Sequence, residues 1–185
     1  NFIEDAGDKP FFFQANIAPP HRNFDHHMDE FAEFLPNPDD IKVPEYLADT
    51  PEMRQDLVKY YGSVQLADSC AGSIINVLKE KGLLENTLII YTSDQGEPYH
   101  RAKASPYYAG LHVPFIASGP KVVKGKISYA LISHIDIMPT ILDYLHIPIP
   151  ETVQGQSLKP LFTGSKEKIT NRNYVFGEHN SHGPN

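Results

Sequence analysis

Leu83-Leu-Glu-Asn-Thr-Leu-Ile-Ile-Tyr-Thr-Ser-Asp-Gln-Gly96 is the stretch that decides how this chain folds. Thr87 to Thr92 is apolar, β-branched and aromatic, which predicts a buried strand. The run stops at Ser93-Asp94-Gln95-Gly96, residues that turn the chain. In open α/β sheets, ligands bind at the carboxyl ends of strands. Asp94 and Gln95 offer hard oxygen ligands there, suited to Ca²⁺ or Mg²⁺. Lys103, further along the same loop, is placed to meet an anion that such a cation would hold. This combination suits hydrolysis of a charged ester. The same Ser-Asp-x-Gly pattern also suits a plain turn, with Asp94 accepting nearby backbone amides.

Upstream of that strand lies a long helical pattern. Thr50 is a cap and Pro51 a first helical residue. Leu57, Tyr60, Tyr61, Val64, Ala67, Ala71, Ile74, Ile75 and Leu78 follow at three- and four-residue spacing, which predicts an amphipathic helix ending at Gly82. Earlier still, Pro10-Phe-Phe-Phe-Gln-Ala-Asn-Ile17 reads as a buried strand, stopped by Pro19-Pro20 and followed by His21-Arg22. Residues 23–49 are polar, acidic and proline-studded, an irregular excursion over the surface. Strand, long helix, strand is a βαβ crossover and favours a parallel sheet.

Downstream, Val113 to Ser118 predicts a short strand ended by Gly119-Pro120. Ser133 to Leu145 predicts a helix that Pro139 kinks or delays. Gly155 to Gly164 reads as a short helical turn or loop, and Tyr174 to His179 as a last short strand. The expected fold class is α/β, a mostly parallel sheet flanked by helices.

The bulk numbers agree with one sizeable core: 185 residues, 41% of them hydrophobic. A net charge of −7 argues against a nucleic-acid partner. No apolar run approaches the ~20 residues needed to span a bilayer. One cysteine, Cys70, leaves no internal disulfide and no cysteine-based zinc cluster. No signal peptide is visible.

Taken in order, these pieces resemble the sulfatase family of the alkaline-phosphatase-like superfamily. Pro10-Phe-Phe-Phe with Pro20-His21-Arg22, Tyr60-Tyr61 with Leu66-Ala67-Asp68 and Gly72, and the Leu83–Gly96 stretch all match. So do Val113-Pro114, Ile135-Asp136 with Pro139-Thr140, and Gly155-Gln-Ser-Leu158. The spacing from Asp94 to Lys103, with Tyr107 beyond, is most similar to heparan N-sulfatase-like carbohydrate sulfatases.

The resemblance implies roles for particular residues. Asp94 matches a metal-ligand aspartate lying near the nucleophile. Gln95 stands where asparagine is commoner, one methylene longer. His21 matches a histidine that contacts sulfate and acts as acid toward the leaving group, a task suited to imidazole. Lys103 matches the cation that neutralises sulfate charge. Arg22 either orients His21 or meets the substrate. His100 lies in the loop of Lys103, and His179 follows the last predicted strand; both are candidate substrate contacts. His26-His27 with Asp25 and Asp29 lacks ligand spacing and reads as a solvated acidic loop. His112, His134 and His146 read as structural.

The family's formylglycine nucleophile arises in a Cys/Ser-x-Pro/Ala-x-Arg motif, and no such motif occurs here. Cys70, in Ser-Cys-Ala-Gly-Ser, is not that residue. The acidic pair of the family's first strand is also missing. Residues 1–185 are therefore expected to be the downstream part of a sulfatase catalytic domain, using Ca²⁺ (or Mg²⁺) with formylglycine supplied from upstream. The implied substrate is a sulfated sugar or glycosaminoglycan, and the implied location secreted, periplasmic or lysosomal. Two alternatives stay open: a phosphate or phosphonate ester hydrolase of the same superfamily, and a non-catalytic fragment that binds glycans or partners. Exposed strand edges in a partial domain would favour oligomers.

Overall fold

The computed structural model describes residues 2–7, 9–166 and 172–179. Two units are distinguished, residues 1–77 and 78–185.

The first unit opens with α1, Phe2–Ala6. The Phe2 ring meets Phe11 edge-on and lies 5.4 Å from the Phe13 ring. The predicted strand at residues 10–17 is extended but forms no ladder with any described segment, and Phe12 and Phe13 stay exposed. The acidic excursion is more ordered than its composition suggests. It is built of short 3₁₀ turns at Phe24–His27, Ala32–Phe34 and Pro38–Asp40, with one turn of helix, α2, at Met28–Phe31.

These turns are fastened to the long helix α3, Pro51–Glu80. Phe24 is buried and packs 5.9 Å from the Tyr60 ring. Arg22 reaches Asp56 through two bonds of 3.0 and 2.5 Å, and Lys59 reaches Asp25 at 2.7 Å. Arg54 is the densest joint. It grips Asp49 at 2.6 and 2.8 Å and also donates to the Pro38 and Ile41 carbonyls, each at 3.0 Å.

Helix α3 starts and stops where its sequence directs. The Thr50 hydroxyl accepts the Met53 amide at 3.2 Å, satisfying a donor that the first turn leaves open. At the other end Gly82 sits at φ +69. Its amide donates to Lys79 and the Leu83 amide to Leu78, a Schellman closure that glycine permits.

In the second unit, β1 (Ile89–Thr92) leaves the turn after α3 and pairs with β2 (Phe115–Ser118). The pairing is antiparallel, with Ile89 opposite Ser118 and Thr92 opposite Phe115. Among the described residues this is the one ladder, so the predicted parallel crossover from residues 10–17 to β1 is not hydrogen-bonded. The segment at residues 174–179 is likewise extended, exposed and without a ladder. Between the strands lies α4, Tyr108–Leu111.

Beyond β2, Ser133 caps a 3₁₀ turn, His134–Asp136, that runs into α5, Ile137–Tyr144. Pro139 thus falls in the opening turn of α5, where its missing amide breaks no helical bond. The short α6, Lys159–Phe162, packs its Phe162 ring beside Tyr144 and Phe115.

The heart of this unit is polar as well as apolar. Asp136 and Thr140 are fully buried beside Pro139 and Leu158. The Thr140 hydroxyl donates to the Asp136 carbonyl at 2.6 Å and accepts the Leu158 amide at 2.7 Å. Asp136 accepts the Ser133 and Gln156 amides at 2.8 and 2.9 Å and both terminal nitrogens of Arg172.

Candidate active site

β1 delivers the predicted site residues to its carboxyl end. Thr92, its last residue, donates its hydroxyl to the Pro114 carbonyl at 2.9 Å and lies 3.1 Å from His134 Nε2. His134, expected to be structural, thus braces the strand end. Ser93 donates to the Gln95 carbonyl at 2.7 Å, and this tight bend turns Asp94 outward into solvent. The Gln95 amide nitrogen points at Asp94 Oδ2, 3.4 Å away.

The loop that follows is stitched to its own base. The Gly96 amide donates to the Gly110 carbonyl at 3.2 Å. A Cβ on Gly96 would collide with the Ala109 carbonyl, so only glycine allows this approach. Tyr99 and Ala102 are buried and anchor the middle of the loop. Between them His100 is exposed, and exposed Arg101 holds its guanidinium 5.7 Å from the Tyr107 ring centre. Lys103 is half-buried, and its amide donates to the Glu97 and Tyr99 carbonyls at 2.9 and 3.2 Å. Gln95 Oε1 accepts the Ala104 amide at 3.3 Å. Burial pushes the Glu97 carboxyl above the usual carboxylate range.

Asp94, Gln95, His100 and Lys103 are therefore gathered on one connection of the second unit, which also contains exposed His179. His21 and Arg22 belong to the first unit. The His21 Nδ1 lies against the Arg22 carbonyl. A carbonyl can only accept, so Nδ1 carries the proton and the acceptor of the neutral ring is Nε2. Arg22 is committed to Asp56 and lies 4.6 Å over the Phe24 ring, a posture that fixes the loop beside His21.

Asp94 presents an exposed carboxylate at the end of β1, a hard oxygen donor of the kind a divalent cation takes. Gln95 turns its amide nitrogen toward Asp94 and its oxygen to the Ala104 amide, so its oxygen does not join Asp94 in this arrangement. Ca²⁺ takes about six to eight oxygens. Among the described residues no three acidic, histidine or cysteine side chains converge on a metal-sized space. The Gln95 contact to Ala104 and the Asp136–Arg172 pair were invisible in the sequence. The extra methylene of Gln95 was the one local hint of the former.

The family model described as Sulfatase matches residues 1–147. Among curated proteins, the chain is 30% identical to human N-sulphoglucosamine sulphohydrolase, covering 98% of this chain and 41% of that protein. The chain thus spans about two fifths of that relative's length. Among solved structures, it is similar to a Bacteroides thetaiotaomicron structure from work on metabolism of multiple glycosaminoglycans. There identity is 27% and the TM-score 0.72, over 91% of this chain and 36% of that one. It is also similar to the phosphonate monoester hydrolase of Silicibacter pomeroyi, at 29% identity and TM-score 0.61, over 91% of this chain and 34% of that one. These likenesses establish the alkaline-phosphatase-like α/β fold class, represented here in part. Among the described residues, no helix is long and apolar enough to cross a membrane.

Proposed function

Because the chain belongs to the sulfatase family, we propose that it forms the downstream part of the catalytic domain of a metal-dependent hydrolase that cleaves sulfate esters or sulfamates on carbohydrate. The observation that carries this reading is the strand end: Asp94 turned outward at the end of β1, with the Lys103 loop stitched back onto Gln95. An acid for a cation and a cation for an anion are what a doubly demanding substrate needs, since sulfate charge repels nucleophiles.

In this reading Asp94 holds the divalent cation, Ca²⁺ or Mg²⁺, with Gln95 beside it. When bound, such an ion offsets charge on the sulfuryl group. Lys103 binds and neutralises the same group from the loop side, most strongly as charge develops. His21, with its Nδ1 proton held by the Arg22 carbonyl, would serve as the acid through Nε2 in the doubly protonated ring, giving the Nε2 proton to the departing oxygen or nitrogen and leaving Nε2 as the acceptor of the neutral ring. Arg22 keeps that ring oriented. His100 and His179 are candidate sugar contacts. The nucleophile, a formylglycine in this family, lies outside residues 1–185, and the location that goes with the family is secreted, periplasmic or lysosomal.

The likeness to an N-sulphoglucosamine sulphohydrolase supports a sulfated sugar as the substrate class. The test is release of inorganic sulfate from N-sulfated glucosamine by the native polypeptide that contains this chain. Activity that collapses in Lys103→Met and Asp94→Asn supports the proposal; activity unaffected by both sinks it. The likeness to a phosphonate monoester hydrolase favours a second reading. A phosphonate monoester turned over faster than any sulfated sugar would replace the first reading with that one.

A further inference from the structure

We infer that Gln95 is a positioning residue for Lys103, acting through the backbone amide of Ala104. The inference rests on the reading of Lys103 as the anion-facing cation.

Three features converge on it. First, the loop bends sharply on both sides of Lys103. Arg101 has φ +63 and Ala104 φ +53, a left-handed conformation that residues with a Cβ avoid. A backbone held in such a conformation needs bonds that keep it there. The Lys103 amide supplies two, to Glu97 and Tyr99, and the Ala104 amide supplies the third, to Gln95 Oε1 at 3.3 Å.

Second, Gln95 is itself fixed. Its carbonyl accepts the Ser93 hydroxyl, and its neighbour Gly96 is pressed against the Ala109–Gly110 backbone too closely for any side chain. The anchor therefore cannot drift with the loop it holds.

Third, length matters. The same carboxamide offers its nitrogen to Asp94 and its oxygen to Ala104. Asparagine, one methylene shorter, would not reach Ala104 from this backbone. The longer side chain thus ties the metal-facing acid to the anion-facing loop.

The test uses the native polypeptide that contains this chain and two independent readouts. Amide exchange at Ala104 is followed by NMR in wild type, Gln95→Met, Gln95→Asn and Gln95→Glu. Acylation of the Lys103 amine is followed by mass spectrometry with increasing inorganic sulfate. Exchange at Leu158, bonded to Thr140, reports that each variant is folded. We expect Ala104 to exchange roughly two- to tenfold faster in Gln95→Met and Gln95→Asn, the span of one lost hydrogen bond. Gln95→Glu, which keeps the acceptor and its reach, restores protection. Sulfate should shield Lys103 in wild type and do so at higher concentration in the two deficient variants.

Unchanged Ala104 exchange in Gln95→Met overturns the inference. So does faster exchange with undiminished sulfate shielding, since Gln95 would then hold the loop without placing Lys103. Absence of shielding in wild type removes Lys103 as the anion contact and the positioning role with it. Ala104 exchange would then still report separately whether Gln95 holds the loop.

Discussion

Arg172 closes on both carboxylate oxygens of Asp136, an acid that lies 36 residues earlier and is fully buried. The pair joins the cap of α5 to the segment that leads toward His179. Two backbone amides, from Ser133 and Gln156, complete the carboxylate's bonding. A single acid thus fastens three stretches of chain.

Breaking this pair from one side leaves an uncompensated buried charge. Arg172→Met is expected to destabilise the second unit by about 3–5 kcal/mol, the range for removing one partner of a buried ion pair. Arg172→Lys keeps the charge but loses the fork, and should fall between wild type and Arg172→Met. Urea unfolding midpoints at neutral pH measure both.

The same acid predicts a pH dependence. Burial would raise the Asp136 carboxyl, but Arg172 and the Gln156 and Ser133 amides outweigh it and hold it below the usual carboxylate range. Asp143 is lowered too, chiefly by the Ser157 hydroxyl, which overcomes burial with help from Lys159. A depressed folded-state value means the stabilisation is complete above the unfolded value of about 3.9 and is lost as pH falls through the lower folded one. Unfolding midpoints should therefore be flat from neutrality to about pH 5 and drop steeply below about pH 4. In Asp136→Asn the drop should be shallower, because that proton is no longer taken up. An equally steep drop in the variant would assign the acid sensitivity elsewhere.

Thr140 carries two bonds on one buried hydroxyl. Thr140→Val preserves shape while leaving the Leu158 amide without its acceptor. The expected loss is about 1–3 kcal/mol. Thr140→Ser keeps the hydroxyl and gives up only a methyl, so it should lose less. Thermal unfolding of the two variants side by side decides the order.

Asp94 should behave in the opposite way. It is exposed, and its described side-chain bond is the 3.4 Å contact from Gln95. Asp94→Ala is expected to leave metal-free stability within about 0.5 kcal/mol, as for other surface positions. What it should remove is stabilisation by added Ca²⁺ in the polypeptide that carries this chain, since a ligand stabilises the state it binds. Melting temperatures with and without CaCl₂ check both halves.

The sequence was most legible where a pattern is local. The cap at Thr50, the periodic apolar face and the Gly82 closure placed α3 at both ends, because each is decided within a turn of helix. Asp94 at a strand end was readable for the same reason: a β-branched run meeting Ser-Asp-Gln-Gly. Strand pairing was not. Residues 10–17 and 174–179 have strand composition, yet their partners are chosen by distant segments, and neither finds one among the described residues. The acidic excursion misled in another way. Its polarity suggested a solvated loop, whereas Arg54, Asp56 and Lys59 recruit it onto α3 through pairs that no local period reveals. The hold of Gln95 on Ala104 depends on a left-handed turn at an alanine, which composition does not forecast.

β1 and β2 pair through residues 89–92 and 115–118, and the connection between them is the same segment that bears Asp94, His100 and Lys103. The strands keep the register, and the connection is itself held, with Tyr99 and Ala102 buried and the Lys103 amide bonded back to Glu97 and Tyr99. An insertion beside His100 would part those anchors, whereas a change of the exposed His100 side chain weighs little on folding. Over evolutionary time this separates two kinds of inheritance. The hairpin's crown can change at its exposed side chains, whereas Asp136 and Thr140, each bonded to several segments at once, leave their descendants almost no latitude.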